Sequence, residues 1–134
     1  MLNLIKVKNI LLGANIMVKV IGVCVSAQKG AKKKNIQKCE VKKDWGLVGD
    51  AHAGFAHRQV SLLAQESIDK MKAKGLKNLD LGSFAENITT EGIILYSLKI
   101  GTTLKIGKNV KLRVTQIGKE CHTRCNIYYE AGDC

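Results

Sequence analysis

Proline is absent from the 134 residues, so no missing amide interrupts strand pairing, and tight turns fall to glycine and asparagine. Aromatic residues are scarce. One Trp, three Tyr and two Phe offer little on which nucleic-acid bases could stack. Acidic side chains number 11 against 22 basic ones, a formal charge of +11, and that surplus attracts nucleic acid, anionic lipid or a phosphorylated cofactor at long range. Long apolar runs are missing as well. Ile10 to Val25 ends in Ser26-Ala27 in the manner of a signal peptide, but Lys19 interrupts it, and the uncharged span between Lys8 and Lys19 is too short to cross a bilayer. Five cysteines, an odd number without framework spacing, argue against a secreted disulfide scaffold and for a reducing compartment. The expectation is a cytoplasmic chain with no membrane segment.

The residues that are present suit a single globular domain, because this length supports one core but not two. Val18 to Ser26 is rich in β-branched residues and predicts a buried strand. Lys29, Lys32, Lys33, Lys34, Lys38, Lys42 and Lys43 then crowd one segment with only Glu40 and Asp44 as acids, so residues 27–46 read as an exposed, solvated excursion. Gly46, Gly49 and Gly54 break regular structure and place the polar groups between them on a loop. Arg58 to Leu63 resumes strand character. Ala64 to Lys74 has helical apolar spacing at Ile68 and Met71, with Gly75 as its stop. Leu79 to Asn87 predicts a short helix, with Ser83 as N-cap and Glu86 three residues on. Ile93 to Leu98, Thr103 to Ile106 and Val110 to Ile117 read as strands with glycine turns between them. The fold class is therefore mainly β with one or two short helices, and many antiparallel strands with edges to cover imply a closed or nearly closed barrel.

Chemistry concentrates in two clusters. Gly118 to Cys125 follows a predicted strand, and Lys119, His122 and Arg124 beside Cys121 would stabilise its thiolate, making it a better nucleophile and soft-metal ligand. The bland alternative leaves Cys121 and Cys125 as buried thiols. Structural zinc on Cys121, His122, Cys125 and Cys134 competes, although adjacent Cys121 and His122 would have to diverge. The second cluster is Asp50, His52, His57 and Arg58. An Asp on such a loop more often satisfies turn amides. Arg58 offers a fork for an anion, or pairs with Glu66 or Glu86.

In this order, Gly49-Asp50-Ala51-His52-Ala53-Gly54, His57-Arg58-Gln59-Val60-Ser61-Leu62-Leu63, Phe84-Ala85-Glu86-Asn87-Ile88-Thr89-Thr90-Glu91-Gly92 and Thr115-Gln116-Ile117-Gly118-Lys119-Glu120-Cys121-His122 resemble successive blocks of the MOSC domain. That module forms the C-terminal domain of molybdenum-cofactor sulfurases and also exists as short stand-alone bacterial proteins. The resemblance runs from about Val18 to Cys134. It implies a β-barrel and a cysteine, matched by Cys121, that carries sulfur or ligates molybdenum. Asp50, His52, Arg58, Glu86 and Asn87 would line or brace the pocket, with Lys119, His122 and Arg124 in the same binding set. The implied ligand is the molybdenum cofactor, whose molybdopterin carries phosphate. Pyridoxal phosphate belongs to a separate desulfurase domain for which this chain has no room.

The implied partners are a sulfur donor such as a cysteine desulfurase, or a molybdoenzyme, and the activity would be sulfur transfer or a cofactor-dependent reaction. The family continues past Gly132-Asp133-Cys134 into another strand, so the barrel is expected to be incomplete at the C-terminus. Residues 1–16 are expected to be an extension outside the family pattern, with the domain at 17–134 and Met17 a plausible translation start. Leu2 to Leu12 would cover the vacant edge or pair with a second copy in a homo-oligomer. The alternative from another class is a basic module that uses the Lys29 to Lys43 segment for nucleic acid, disfavoured by the lack of aromatics, with its cysteines inert or holding zinc. A further alternative is a fold that persists without activity.

Overall fold

The computed structural model describes residues 4–6, 8–12, 16–54, 58–106 and 109–118. Strands β1 (Leu4–Lys6) and β2 (Lys8–Leu12) precede the long β3 (Ile16–Val25), followed by β4 (Lys34–Asn35), β5 (Lys38–Lys42), β6 (Gly46–Leu47) and β7 (Leu62–Ala64). Helix α1 (Gln65–Ala73) follows, then β8 (Ile88–Glu91), a 3-10 turn (Leu95–Ser97), β9 (Thr103–Ile106) and β10 (Val110–Arg113). The architecture is mainly β with one α-helix.

Strand β3 organises the largest sheet, in the order β2-β3-β8-β7, with β4 also paired to β3. Its run of β-branched residues suits a pleated surface with neighbours on both sides. Val20 and Val23 are accordingly buried. Strand β7 lies parallel to β8, Leu62 opposite Ile88, which requires a crossover, and α1 provides part of it. Glu66 in the first turn of α1 and Lys70 and Lys72 in its last complement the helix dipole. The helix ends before Gly75, whose φ is +95°. Ile68 and Leu79, with Leu63, Met71, Leu76 and Phe84 around them, form a small apolar cluster beneath it.

The other sheets are β1-β5-β6 and the β9-β10 hairpin. One core nevertheless unites all three, because Ile5, Val20, Val23, Cys39, Leu47, Ile88, Ile106 and Val110 pack in a single buried cluster. The N-terminal strands serve two sheets. Strand β1 pairs with β5, Ile5 opposite Cys39, and β2 pairs with β3, Ile10 opposite Val18, so both cover edges within their own chain.

Several expectations need correction. The lysine-rich segment 27–46 is not a free excursion: it contains β4 and β5, and Lys33 is buried. Strand character after Arg58 begins only at Leu62. Leu79 to Asn87 forms turns rather than a helix, since Asn78, Gly82 and Ala85 all have positive φ. Ser83 Oγ accepts the Asp80 amide at 2.7 Å instead of capping a helix. Ile93 to Leu98 holds a 3-10 turn at Leu95–Ser97 rather than a strand, and Ile94 and Tyr96 are exposed. Strand β10 stops at Arg113 rather than Ile117. Among the described residues the strands form three sheets and no closed barrel, and no helix there is long and apolar enough to cross a membrane.

Candidate functional site

The loop after β6 folds back on Trp45, whose carbonyl accepts the Gly54 amide at 2.6 Å. Gly54 has φ +75°, and a Cβ there would lie 2.6 Å from the indole, so this close return demands glycine. The loop directs Asp50 inward, where its side chain is fully buried. Oδ1 accepts the Ser26 amide at 3.1 Å and Oδ2 the His52 amide at 3.2 Å. Lys33 Nζ, equally buried, lies 2.5 Å from Oδ1. Burial pushes the Asp50 carboxyl up, but hydrogen bonds from Lys33, Ser26 and Asn87, together with the Lys33 charge, outweigh it and hold the group below the ordinary carboxylate value.

His52 occupies the outer side of this pair. Its Nδ1 lies 3.1 Å from Lys33 Nζ, and its side chain keeps 31% of its surface exposed. On the inner side, Asn87 ties three segments together. Its Nδ2 donates to the Cys24 carbonyl at 3.0 Å, its Oδ1 accepts the Ser61 amide at 3.0 Å, and its own carbonyl accepts the Cys24 amide at 2.6 Å. Glu86 is 1% exposed. Its carboxylate accepts from the Gly82 amide at 3.0 Å, the Phe84 amide at 3.2 Å and Thr89 Oγ1 at 2.8 Å. Gly82 in turn accepts the Lys33 amide at 2.8 Å. Its φ is +88°, and a Cβ would fall 2.0 Å from the Lys33 carbonyl oxygen, so only glycine fits where these two backbones touch.

Asp50, His52, Glu86 and Asn87 therefore belong to one polar network, buried except at His52. Arg58 is exposed ahead of β7. Glu66 accepts the Gly92 amide at 2.9 Å. His57, Lys119, Cys121, His122, Arg124, Cys125 and Cys134 lie outside the described residues. That group includes every ligand of the zinc alternative. Among the described residues no cluster of three or more His, Cys, Asp or Glu side chains is arranged to hold a metal.

Sequence reasoning missed Lys33. It stands between Lys32 and Lys34, and nothing local separates the one that turns inward. The usable signal lay elsewhere, since a buried Asp50 requires a cation partner.

Two described cysteines, Cys24 and Cys39, are free and buried. Burial, followed by the charge of Glu86, pushes the Cys24 thiol up to about 12, with Lys33 offsetting only part of the rise, and burial raises Cys39 as well. Neither suits nucleophilic work at neutral pH. Both are expected to resist iodoacetamide in the folded protein and to react once urea unfolds it, as read by peptide mass mapping. Fast labelling of Cys24 in the native state would contradict its placement.

The sequence model of the MOSC domain matches residues 49–131, more than half of the chain. Neither the curated proteins nor the solved structures contain a match to it.

Proposed function

The chain belongs to the MOSC domain family, and from that membership we propose that it is a sulfur-carrier or molybdenum-cofactor-binding domain whose working group is the Cys121 thiolate. The observation that carries this reading is the extent of the match. Residues 49–131 include the polar network side chains Asp50, His52, Glu86 and Asn87, the exposed Arg58, and the block Lys119, Cys121, His122 and Arg124.

In the carrier role, the Cys121 thiolate attacks the terminal sulfur of a donor persulfide. A new S–S bond forms on Cys121, the donor's S–S bond breaks, and the donor leaves as a thiolate. Lys119, His122 and Arg124, close to Cys121 in the sequence, would favour the ionised nucleophile by their charge. The donor-rich chemistry of His52, Arg58 and the cations beside Cys121 suits a phosphate-bearing ligand. The charge of Lys33, by contrast, is already matched by Asp50. A molybdenum cofactor held by these groups would supply a metal centre with affinity for soft sulfur. The same reading has the strands completing a barrel around the pocket, a cytoplasmic setting, and a cysteine desulfurase, a molybdoenzyme or a second copy of the chain as partner.

The test is mass spectrometry of the purified protein after incubation with a persulfide donor, together with elemental analysis for molybdenum and zinc. Cys121 is expected to gain the mass of one sulfur atom or to retain molybdenum, and Cys121→Ser to abolish both. Retention of zinc by the native chain but not by Cys121→Ser, with no sulfur adduct, would replace the carrier with a structural metal site. Nucleic-acid binding that survives Cys121→Ser and falls steeply with salt would favour the basic module.

A further inference from the structure

The stretch between Glu91 and Glu120 carries no acidic residue, and five lysines and one arginine fall within it. Strands β9 and β10 pair in a register that sets Lys105 directly opposite Lys111, and Thr103 opposite Arg113. These four side chains are exposed on one face of the hairpin, whereas Leu104, Ile106 and Val110 on the other face are buried. Like charges directly opposite each other destabilise a sheet. Neither lysine forms an ion pair among the described residues. The base of the hairpin is tied to an apolar loop, because the Gly101 amide donates to the Val114 carbonyl at 2.7 Å and the Val114 amide to the Thr102 carbonyl at 2.9 Å. Ile100 and Lys99 therefore lie beside the end of β10. Ile94, Tyr96 and Ile100 are 57%, 64% and 68% exposed, the most exposed large hydrophobic side chains among the described residues. Lys70 Nζ stands 5.4 Å from the Tyr96 ring centroid, which brings a further cation from α1 to the same loop.

We propose that this loop and the outer face of the β9–β10 hairpin dock the protein reversibly on an anionic lipid bilayer. The composition discriminates among polyanions. Branched aliphatic side chains are stabilised on leaving water for the acyl boundary of a membrane, but gain nothing against a phosphodiester backbone. Tyr96 is the sole aromatic residue of 92–119, so bases find no series of stacking faces, while a tyrosine flanked by lysines suits the headgroup level. Protein interfaces are depleted in lysine and favour arginine. Here lysine outnumbers arginine five to one, and flexible ammonium groups reach lipid phosphates as point charges. Phosphates lying over Lys105 and Lys111 also relieve the repulsion between them. This docking does not involve Cys121, and it stands or falls apart from the sulfur chemistry.

Cosedimentation of the full chain with vesicles tests it. At low salt the protein is expected to pellet with vesicles of equal parts phosphatidylglycerol and phosphatidylcholine, to stay in solution with phosphatidylcholine alone, and to be released as salt is raised. Lys105→Gln with Lys111→Gln should weaken partitioning about five-fold per lysine, whereas Lys38→Gln with Lys42→Gln on β5 should do much less. Ile94→Ser with Ile100→Ser should weaken it as well, by a factor that salt does not change. All of these positions are exposed, so the variants should melt near the native temperature. Failure to pellet with the anionic vesicles, an equal loss from the β5 pair, or indifference to the isoleucine changes would overturn the proposal. So would tighter binding to duplex DNA or to an acidic polypeptide that responds to the same substitutions.

Discussion

A chain shortened to begin at Met17 is expected to lose its cooperative thermal transition. The residues removed include β1 and β2, which pair with β5 and β3. They also include Ile5, a fully buried member of the core shared by all three sheets. Truncating one buried isoleucine to alanine costs about 2–5 kcal/mol. Deleting two strands removes that contribution and also opens two sheet edges to solvent and to other chains. Against a typical total of roughly 5–15 kcal/mol for a whole domain, the loss is large enough to unfold the protein or drive it to aggregate. Calorimetry of the shortened chain reads the effect, and Ile5→Ala supplies the graded comparison. An unchanged melting temperature in both would mean that β1 and β2 contribute nothing to the fold.

The second large effect is expected at Lys33. Lys33→Met leaves the Asp50 carboxylate fully buried without its cation, and breaking a buried pair from one side costs on the order of 3–5 kcal/mol. A second change, Asp50→Asn, should recover part of this, because it removes the uncompensated charge while keeping an acceptor for the Ser26 amide. The pH dependence gives a sharper signature. In the native protein the Asp50 pKa is lowered, so its contribution is complete above the unfolded value of about 3.9 and is lost as pH falls through the folded value. In Lys33→Met, burial without the cation favours the protonated acid, so acid relieves the penalty. The stability gap between the two proteins in urea should therefore narrow towards pH ~4 and below. A gap that stays constant with pH would show that Asp50 does not sense Lys33.

The contrast between α1 and the segment after it shows what could be read from residue order. Helix α1 was legible because its signals are local: apolar spacing at Ile68 and Met71, and Gly75 to end it. The core of β3 was legible from its β-branched run. Ser83 and Glu86 gave an equally local signal and misled, because a hydroxyl or carboxylate that can cap a helix satisfies turn amides equally well. Here they bind Asp80, Gly82 and Phe84, and the left-handed backbone at Gly82 and Ala85 settles the contest. The inclusion of Ile94 and Tyr96 in a strand failed for a different reason. Their apolar character suggested a strand, yet the chain turns there through a 3-10 segment and leaves both side chains exposed. Of the polar network, Asp50, His52, Glu86 and Asn87 were singled out in the sequence by their motifs, whereas Lys33 was not. Its partnership with Asp50 is created by chain reversal over the intervening loop and strands, and no periodicity records it.

Strand β3 has one further consequence, which concerns the order in which the chain is made. It can form its pairing with β2 almost as soon as it leaves the ribosome, since Ile16 lies opposite Leu12. Its other long flank waits for β8, with Lys19 opposite Glu91, so most of the polypeptide must be synthesised first. Until then an apolar ribbon presents unsatisfied amides to the crowded cell, a condition that invites misassembly. Nascent chains arrested before Ile88 should therefore depend on holding chaperones, and those extended beyond Glu91 should be released from them.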